Sequence, residues 1–139
     1  MFLTKLRLER IESLTGSGRG TWELIEDLFY ASDVEGVGVL RVPRGFITDL
    51  ASVPRLPWAY WAVGGLGHEA AVVHDWLYTT HQTSRATADK VLREAAQVAG
   101  MSAWRAWVMY LGVRAGGMLA WGSAGPRQRI EIPRGEYVE

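Results

Sequence analysis

The stretch "GHEAAVVHDWLYTTHQTSRATADKVLREAAQVAG", residues 67–100, decides the fold, because here the apolar period becomes that of a helix. It predicts one helix over residues 68–80 and a second over 84–99. Ser84 is placed to cap the start of the second, and Gly100 sits where a helix-ending glycine belongs. A third helix follows at 103–121, opened by Ser102. Upstream, "FLTKLRLERI", "TWELIEDLFY" and "VGVLRV" read as strands separated by the turn-forming clusters "TGSGRG" and "SDVEG". "TWELIEDLFY" is also compatible with a helical turn. "VPRGFITDLASVPRLPW" holds Pro43, Pro54 and Pro57, which rule out a long helix and predict a fixed, extended loop. The tail "GPRQRIEIPRGEYVE" is expected to add a short strand and then fray. The expectation is one α+β domain over residues 1–139. Strands and the Pro-rich loop take about 1–60, three helices 61–122 and a tail 123–139, with an N-terminal antiparallel β-meander packed on the helices.

Composition narrows the function classes. Of the 139 residues 48% are apolar and 22% charged, the balance of a folded globular chain. Fifteen basic and fifteen acidic side chains cancel, so no basic field is available for a nucleic acid backbone, and no nucleic acid partner is expected. The absence of cysteine excludes a disulfide scaffold, a thiolate metal site and a cysteine nucleophile. The opening "MFLTKLRLER" is too charged for a signal peptide. Seven tryptophans and sixteen glycines point to tight packing, a sticky surface, or both.

In the first helix His74, Asp75 and Tyr78 share an arc of about 140° with Ala70 and Ala71. Val72, Val73, Trp76 and Leu77 take the other side, the expected core side. Small neighbours leave the polar arc open to a close approach. The arrangement suits either a local hydrogen-bonded cluster or a functional site. In the second helix Asp89 lies at the edge of the apolar stripe of Ala88, Val91, Leu92, Ala95, Ala96, Val98 and Ala99. It can accept the N–H of His74 from an antiparallel neighbour, fixing the tautomer and raising the imidazole's basicity. It can equally pair with Arg85 or Arg93, four residues to either side. Asp49, in the Pro-rich loop, either caps a turn or faces the site as a metal ligand or charge partner. His68 and His81 flank the first helix and carry weaker claims.

The third helix is apolar nearly all round. Trp104, Trp107, Val108, Leu111, Ala115, Met118 and Leu119 form the expected core stripe, and Met109, Val113, Gly116 and Ala120 lie behind it. Arg105 and Arg114 break the circumference. Such a helix is buried on both sides or covered by a partner. Gly112 and Gly116 permit close helix approach. Its length approaches that of a bilayer span, but two arginines make spanning costly. Association with other proteins, or with itself, through residues 103–121 is the favoured expectation, with a membrane surface as a further partner.

Taken together, "VPRGFITDLASVPR", "HEAAVVHDWLY" and "TADKVLREAAQVAG" resemble an uncharacterised family encoded by tailed bacteriophages and prophages, over most of residues 22–121. The resemblance implies a protein of the virion or of the infected bacterial cytoplasm: a tail component, an assembly factor or an accessory to lysis. A shorter resemblance bears on chemistry. "AAVVHDWLY" followed by "ADKVL" is similar to the His-Asp-x-x-Tyr helix and later Ala-Asp helix of phospholipases of the A2 type, particularly the cysteine-free domain of parvovirus capsids. This resemblance implies a metal-assisted ester hydrolase. His74 would be the general base, Asp75 a calcium ligand, Asp89 the group that orients the histidine and Tyr78 a supporting donor. Calcium prefers such oxygen ligands. Those enzymes carry a glycine-rich calcium loop well upstream of the histidine. Here "GGLG" at 64–67 abuts the helix and "TDLASVPR" takes the upstream place, which makes Asp49 the candidate second ligand.

Overall fold

A computed structural model describes residues 1–11, 21–48 and 67–123. The strands are β1 (Leu8–Ile11), β2 (Thr21–Leu24), β3 (Leu28–Ser32), β4 (Gly38–Val42) and β5 (Ile47–Thr48). The helices are α1 (His68–Thr80), α2 (Arg85–Val98) and α3 (Ala103–Ser123). The class is the expected one, antiparallel strands followed by three helices. Within it the strands divide into two sheets, one ordered β1-β2-β5 and one the β3-β4 hairpin. The split arises because β2 pairs with β5, Trp22 opposite Thr48, rather than continuing into β3. "TWELIEDLFY" accordingly forms two strands with a bend between them. Asp27 in that bend holds the corner, accepting hydrogen bonds from the Arg44 backbone at 2.7 Å and from Arg41 Nε at 2.8 Å. Most of the Pro-rich loop and the tail lie outside the described residues.

Helix boundaries follow local chemistry. The Ser84 side chain accepts from the Thr87 N–H and caps α2, as its sequence position predicts. At the other end Gly100 adopts φ +105°, its N–H reaching Gln97 O and that of Met101 reaching Ala96 O. Those two bonds form a Schellman close, which needs a residue free to turn left-handed. α1 ends differently, on His81 at φ 53°. That conformation costs a side-chain-bearing residue roughly 1–2 kcal/mol. Part of the cost is offset where the His81 ring lies flat on Trp121, centroids 3.8 Å apart and planes within 7°.

The layering explains which faces are buried. Strands β3 and β4 meet α2 and α1, while α3 packs chiefly on α2 and touches α1 from its far side. The α1–α2 hairpin is therefore enclosed, with Leu24, Leu28, Tyr30, Val42 and Phe46 on its strand side. Val72, Val73 and Leu77 are buried as expected, but so are Ala70, Ala71, His74 and Tyr78, while Trp76 is only half-buried. Of the polar arc, His74 and Tyr78 face the other helices, while Asp75 is half-buried.

α3 reverses its expected orientation. Its buried residues are Ala106, Met109, Gly112, Val113 and Gly117, whereas Trp104, Trp107, Leu111 and Met118 are 48–69% exposed. The reason is steric. At Gly117 the helix comes so near the α1–α2 hairpin that a Cβ would stand 2.6 Å from the Tyr78 hydroxyl, so the face turned inward carries small or flexible side chains. Two tryptophans would hold it away. Among the described residues no helix is long and apolar enough to cross a membrane.

Candidate active site

The enclosed hairpin brings together His74 and Tyr78, one turn apart on α1, with Asp89 on α2. The connection of residues 81–84 sets the two helices antiparallel, so positions 74 and 89 face each other across it. His74 Nε2 lies 2.8 Å from Asp89 Oδ1, and the Tyr78 hydroxyl donates to the same oxygen at 2.6 Å. Oδ2 accepts from Arg114 Nη1 of α3 at 3.0 Å, with Arg85 Nη1 3.7 Å away. Both readings of Asp89 from its spacing therefore hold at once: it meets the histidine and it pairs with Arg85. Arg93 goes elsewhere, its guanidinium over the Trp107 ring.

Arg114 is the member that the spacing does not reveal. It comes from another helix, 25 residues along the chain, and its sequence signal is only a charge interrupting an apolar segment. Gly117 is a second silent contributor. A Cβ built there would stand 2.6 Å from the Tyr78 hydroxyl and 3.4 Å from Arg85 Nη1. The bare backbone is what lets both side chains reach their places.

Charge states follow from the surroundings. Burial acts most strongly on Asp89 and would raise its carboxyl. Hydrogen bonds from His74, Tyr78 and Arg114, with the electrostatic pull of His74, together outweigh burial and hold it below the usual carboxylate range. An ionised Asp89 only accepts, so the proton between it and His74 sits on Nε2. Burial, then the bond to Asp89, pushes the Tyr78 phenol well above the usual tyrosine range, against the pull of Arg85. Tyr78 is a fixed donor. Its ring also packs on the imidazole, centroids 4.1 Å apart.

One atom in the cluster is unused. His74 is fully buried, and its Nδ1 has no hydrogen-bond partner among the described residues. An unpaired polar atom in a protein interior costs roughly 1–3 kcal/mol. When the imidazole is neutral and Asp89 holds its proton on Nε2, that atom carries a lone pair.

The other expected site residues fall as follows. Asp75 is half-buried on the adjoining side of α1, and His68 is exposed at its start. His81 is exposed and stacked on Trp121, whose ring edge in turn meets Tyr78 at 5.1 Å. Asp49 lies outside the described residues. Among the described residues no group of three or more His, Cys, Asp or Glu is arranged to hold a metal ion.

The fold and this cluster define an α+β domain with a buried His–Asp pair clamped between three helices. A family model described as "Protein of unknown function (DUF1353)" matches residues 22–113, and the chain belongs to that family. The match takes in His74, Tyr78, Arg85 and Asp89. No curated protein and no solved structure matches the chain.

Proposed function

We propose that this chain is a bacteriophage-encoded hydrolase in which His74 activates water against an ester carbonyl. The observation that carries the reading is the idle Nδ1 of a fully buried imidazole whose Nε2 is fixed by an ionised carboxylate. In the step, Nδ1 takes a proton from water and the water oxygen adds to the carbonyl carbon, whose π pair moves onto its oxygen. Collapse of that intermediate expels the alcohol oxygen, which takes the proton back from Nδ1. One water is consumed, and a carboxylic acid and an alcohol leave. Asp89 stabilises the transient imidazolium, and Tyr78 and Arg114 keep Asp89 in position. Because Nδ1 is closed to solvent in this state, turnover requires its cover to open.

Calcium at Asp75 and Asp49 belongs to the proposal as an aid to the developing oxyanion. The described residues contribute one of those two carboxylates, Asp75, and do not by themselves form a donor set. No step is routed through the ion. The phage origin rests on the resemblance carried by "TDLASVPR" and "HDWLY".

The test is turnover of a phospholipid and of a simple ester, with and without chelator, beside a thermal melt. His74→Gln is expected to abolish hydrolysis while leaving the protein folded, since glutamine keeps polarity but takes no proton near neutral pH. Wild-type protein inert toward both substrates, with a melt unmoved by calcium, would sink the reading. A second reading, a non-catalytic virion, tail or assembly protein, is favoured by the exposed apolar face of α3. In it the His74–Asp89 cluster is a structural clamp, and His74→Gln then lowers the melting temperature without any activity to lose.

A further inference from the structure

The outward face of α3 has a regular spacing. Trp104, Val108, Leu111, Ala115, Met118 and Gly122 follow one another at steps of four, three, four, three and four. A repeat of 3.5 residues keeps a narrow seam along one line of a helix, the arrangement that receives a second helix by knobs into holes. Leu111 and Met118 are 58% and 69% exposed, Ala115 and Gly122 are exposed, and Val108 is half-buried at the flank of Trp107. The seam runs about 27 Å at 1.5 Å per residue. Nothing described of this chain covers it.

We propose that this seam is the two-fold interface of a homodimer, with α3 of each copy packed antiparallel on the other. The sizes along the seam select that occupant. Reversing the helix about residue 113 sets Trp104 against Gly122 of the second copy, Leu111 against Ala115 and Met118 against Val108. Every large side chain then meets a smaller one. Such self-complementarity is what an isologous two-fold contact requires, and large-against-small alternation is what lets layers interdigitate. A Cβ built on Gly122 meets nothing within 4 Å, so the space opposite Trp104 exists. A parallel pairing would instead stack Trp104 on Trp104 and glycine on glycine.

One cation stands at the end of the seam: Arg105 lies over the Trp104 ring, 5.4 Å from its centroid, and must swing aside for Trp104 to meet Gly122 of the second copy. Arg114 flanks the seam near the axis and would approach its own copy there. It is already tied to Asp89 at 3.0 Å, so each copy compensates that charge internally. Arg93 covers Trp107 at 4.2 Å from the ring centroid, which leaves Trp107 as the wall of the seam and not its floor.

The native chain contains no cysteine, so introduced thiols report the register cleanly. The full-length protein is expected to sediment as a dimer at tens of micromolar. Leu111→Glu, a change at an exposed position, should yield a folded monomer by circular dichroism. Leu111→Cys mixed with Ala115→Cys should form a disulfide at least about tenfold faster than either variant alone, because the paired register raises their effective concentration. A native chain that sediments as a monomer overturns the proposal. So does Leu111→Cys coupling alone as fast as the mixture, the mark of a parallel pair. A monomer that binds vesicles of phosphatidylglycerol and phosphatidylcholine, and loses that binding with Leu111→Glu, would assign the face to lipid instead.

Discussion

Two carboxylates on α2 invite comparison. Asp89 and Glu94 each accept a tyrosine hydroxyl at 2.6 Å, from Tyr78 and Tyr30 respectively. Beyond that they part. Glu94 takes Ser32 Oγ at 2.8 Å and the Asp33 N–H at 3.1 Å, so its partners are all neutral donors from β3 and the turn after it. It fastens the strand hairpin to the helix layer. Asp89 takes an imidazole and a guanidinium, with a second guanidinium close by. One cluster satisfies all its donors and stops there. The other leaves His74 Nδ1, buried inside the protein, without a hydrogen-bond partner among the described residues, an unpaired polar atom that the Glu94 cluster does not have.

The comparison can be broken by placing a carboxylate between the two with no donors at all. Leu92 is 1% exposed on the same helix, and Leu92→Asp is expected to leave the protein unfolded. An unpaired buried charge costs on the order of 5 kcal/mol, enough to exhaust the stability of a small domain. Normal expression with a cooperative melt would show that α2 does not face the core as described. Next in size, Asp89→Asn strands Arg114 and His74 without their anion and should cost about 3–5 kcal/mol. Glu94→Gln keeps an acceptor oxygen for neutral donors and should cost about 1–2 kcal/mol. Urea midpoints measure both. Equal losses would erase the distinction between the clusters.

The smallest effect sharpens the same contrast through pH. Asp89 titrates lower in the folded protein than in the unfolded chain. Its contribution is therefore complete above about pH 4, the unfolded value, and is lost as pH falls through the lower folded one. Tyr78 and Tyr30 are both shifted upward, first by burial and then by their carboxylates. Their contribution is complete below about pH 10 and declines above it. Melting temperatures from pH 6 to pH 2.5 should fall less steeply in Asp89→Asn than in the wild type. Parallel curves would mean that Asp89 has no titration linked to folding.

Much of this was legible in the sequence, and the failures have physical causes. The α1–α2 hairpin follows from local signals, namely periodicity, a capping serine, a closing glycine and a short connection. The His74–Asp89 pairing, in contrast, stands in the sequence as one of two open alternatives beside an Arg85 or Arg93 pair. The place of Arg114 does not follow from such signals, because its partner lies on a different helix and only tertiary packing joins them. The face of α3 misleads for a related reason. Reading hydrophobic size alone assigns Trp104, Trp107 and Leu111 to the core, yet the close approach at Gly117 admits Ala106, Val113 and Gly117 instead. The division into two sheets escapes because β5 is two residues long and pairs across the intervening hairpin.

Gly117 carries a consequence of its own. It donates nothing, accepts nothing through a side chain and titrates nowhere, yet every one of the other amino acids brings a β-carbon or a ring to a point 2.6 Å from the Tyr78 hydroxyl. The position is defined by subtraction. A side chain introduced at position 117 is therefore expected to displace the Tyr78 hydroxyl from Asp89 and so to loosen the cluster from a residue that contributes no polar group to it.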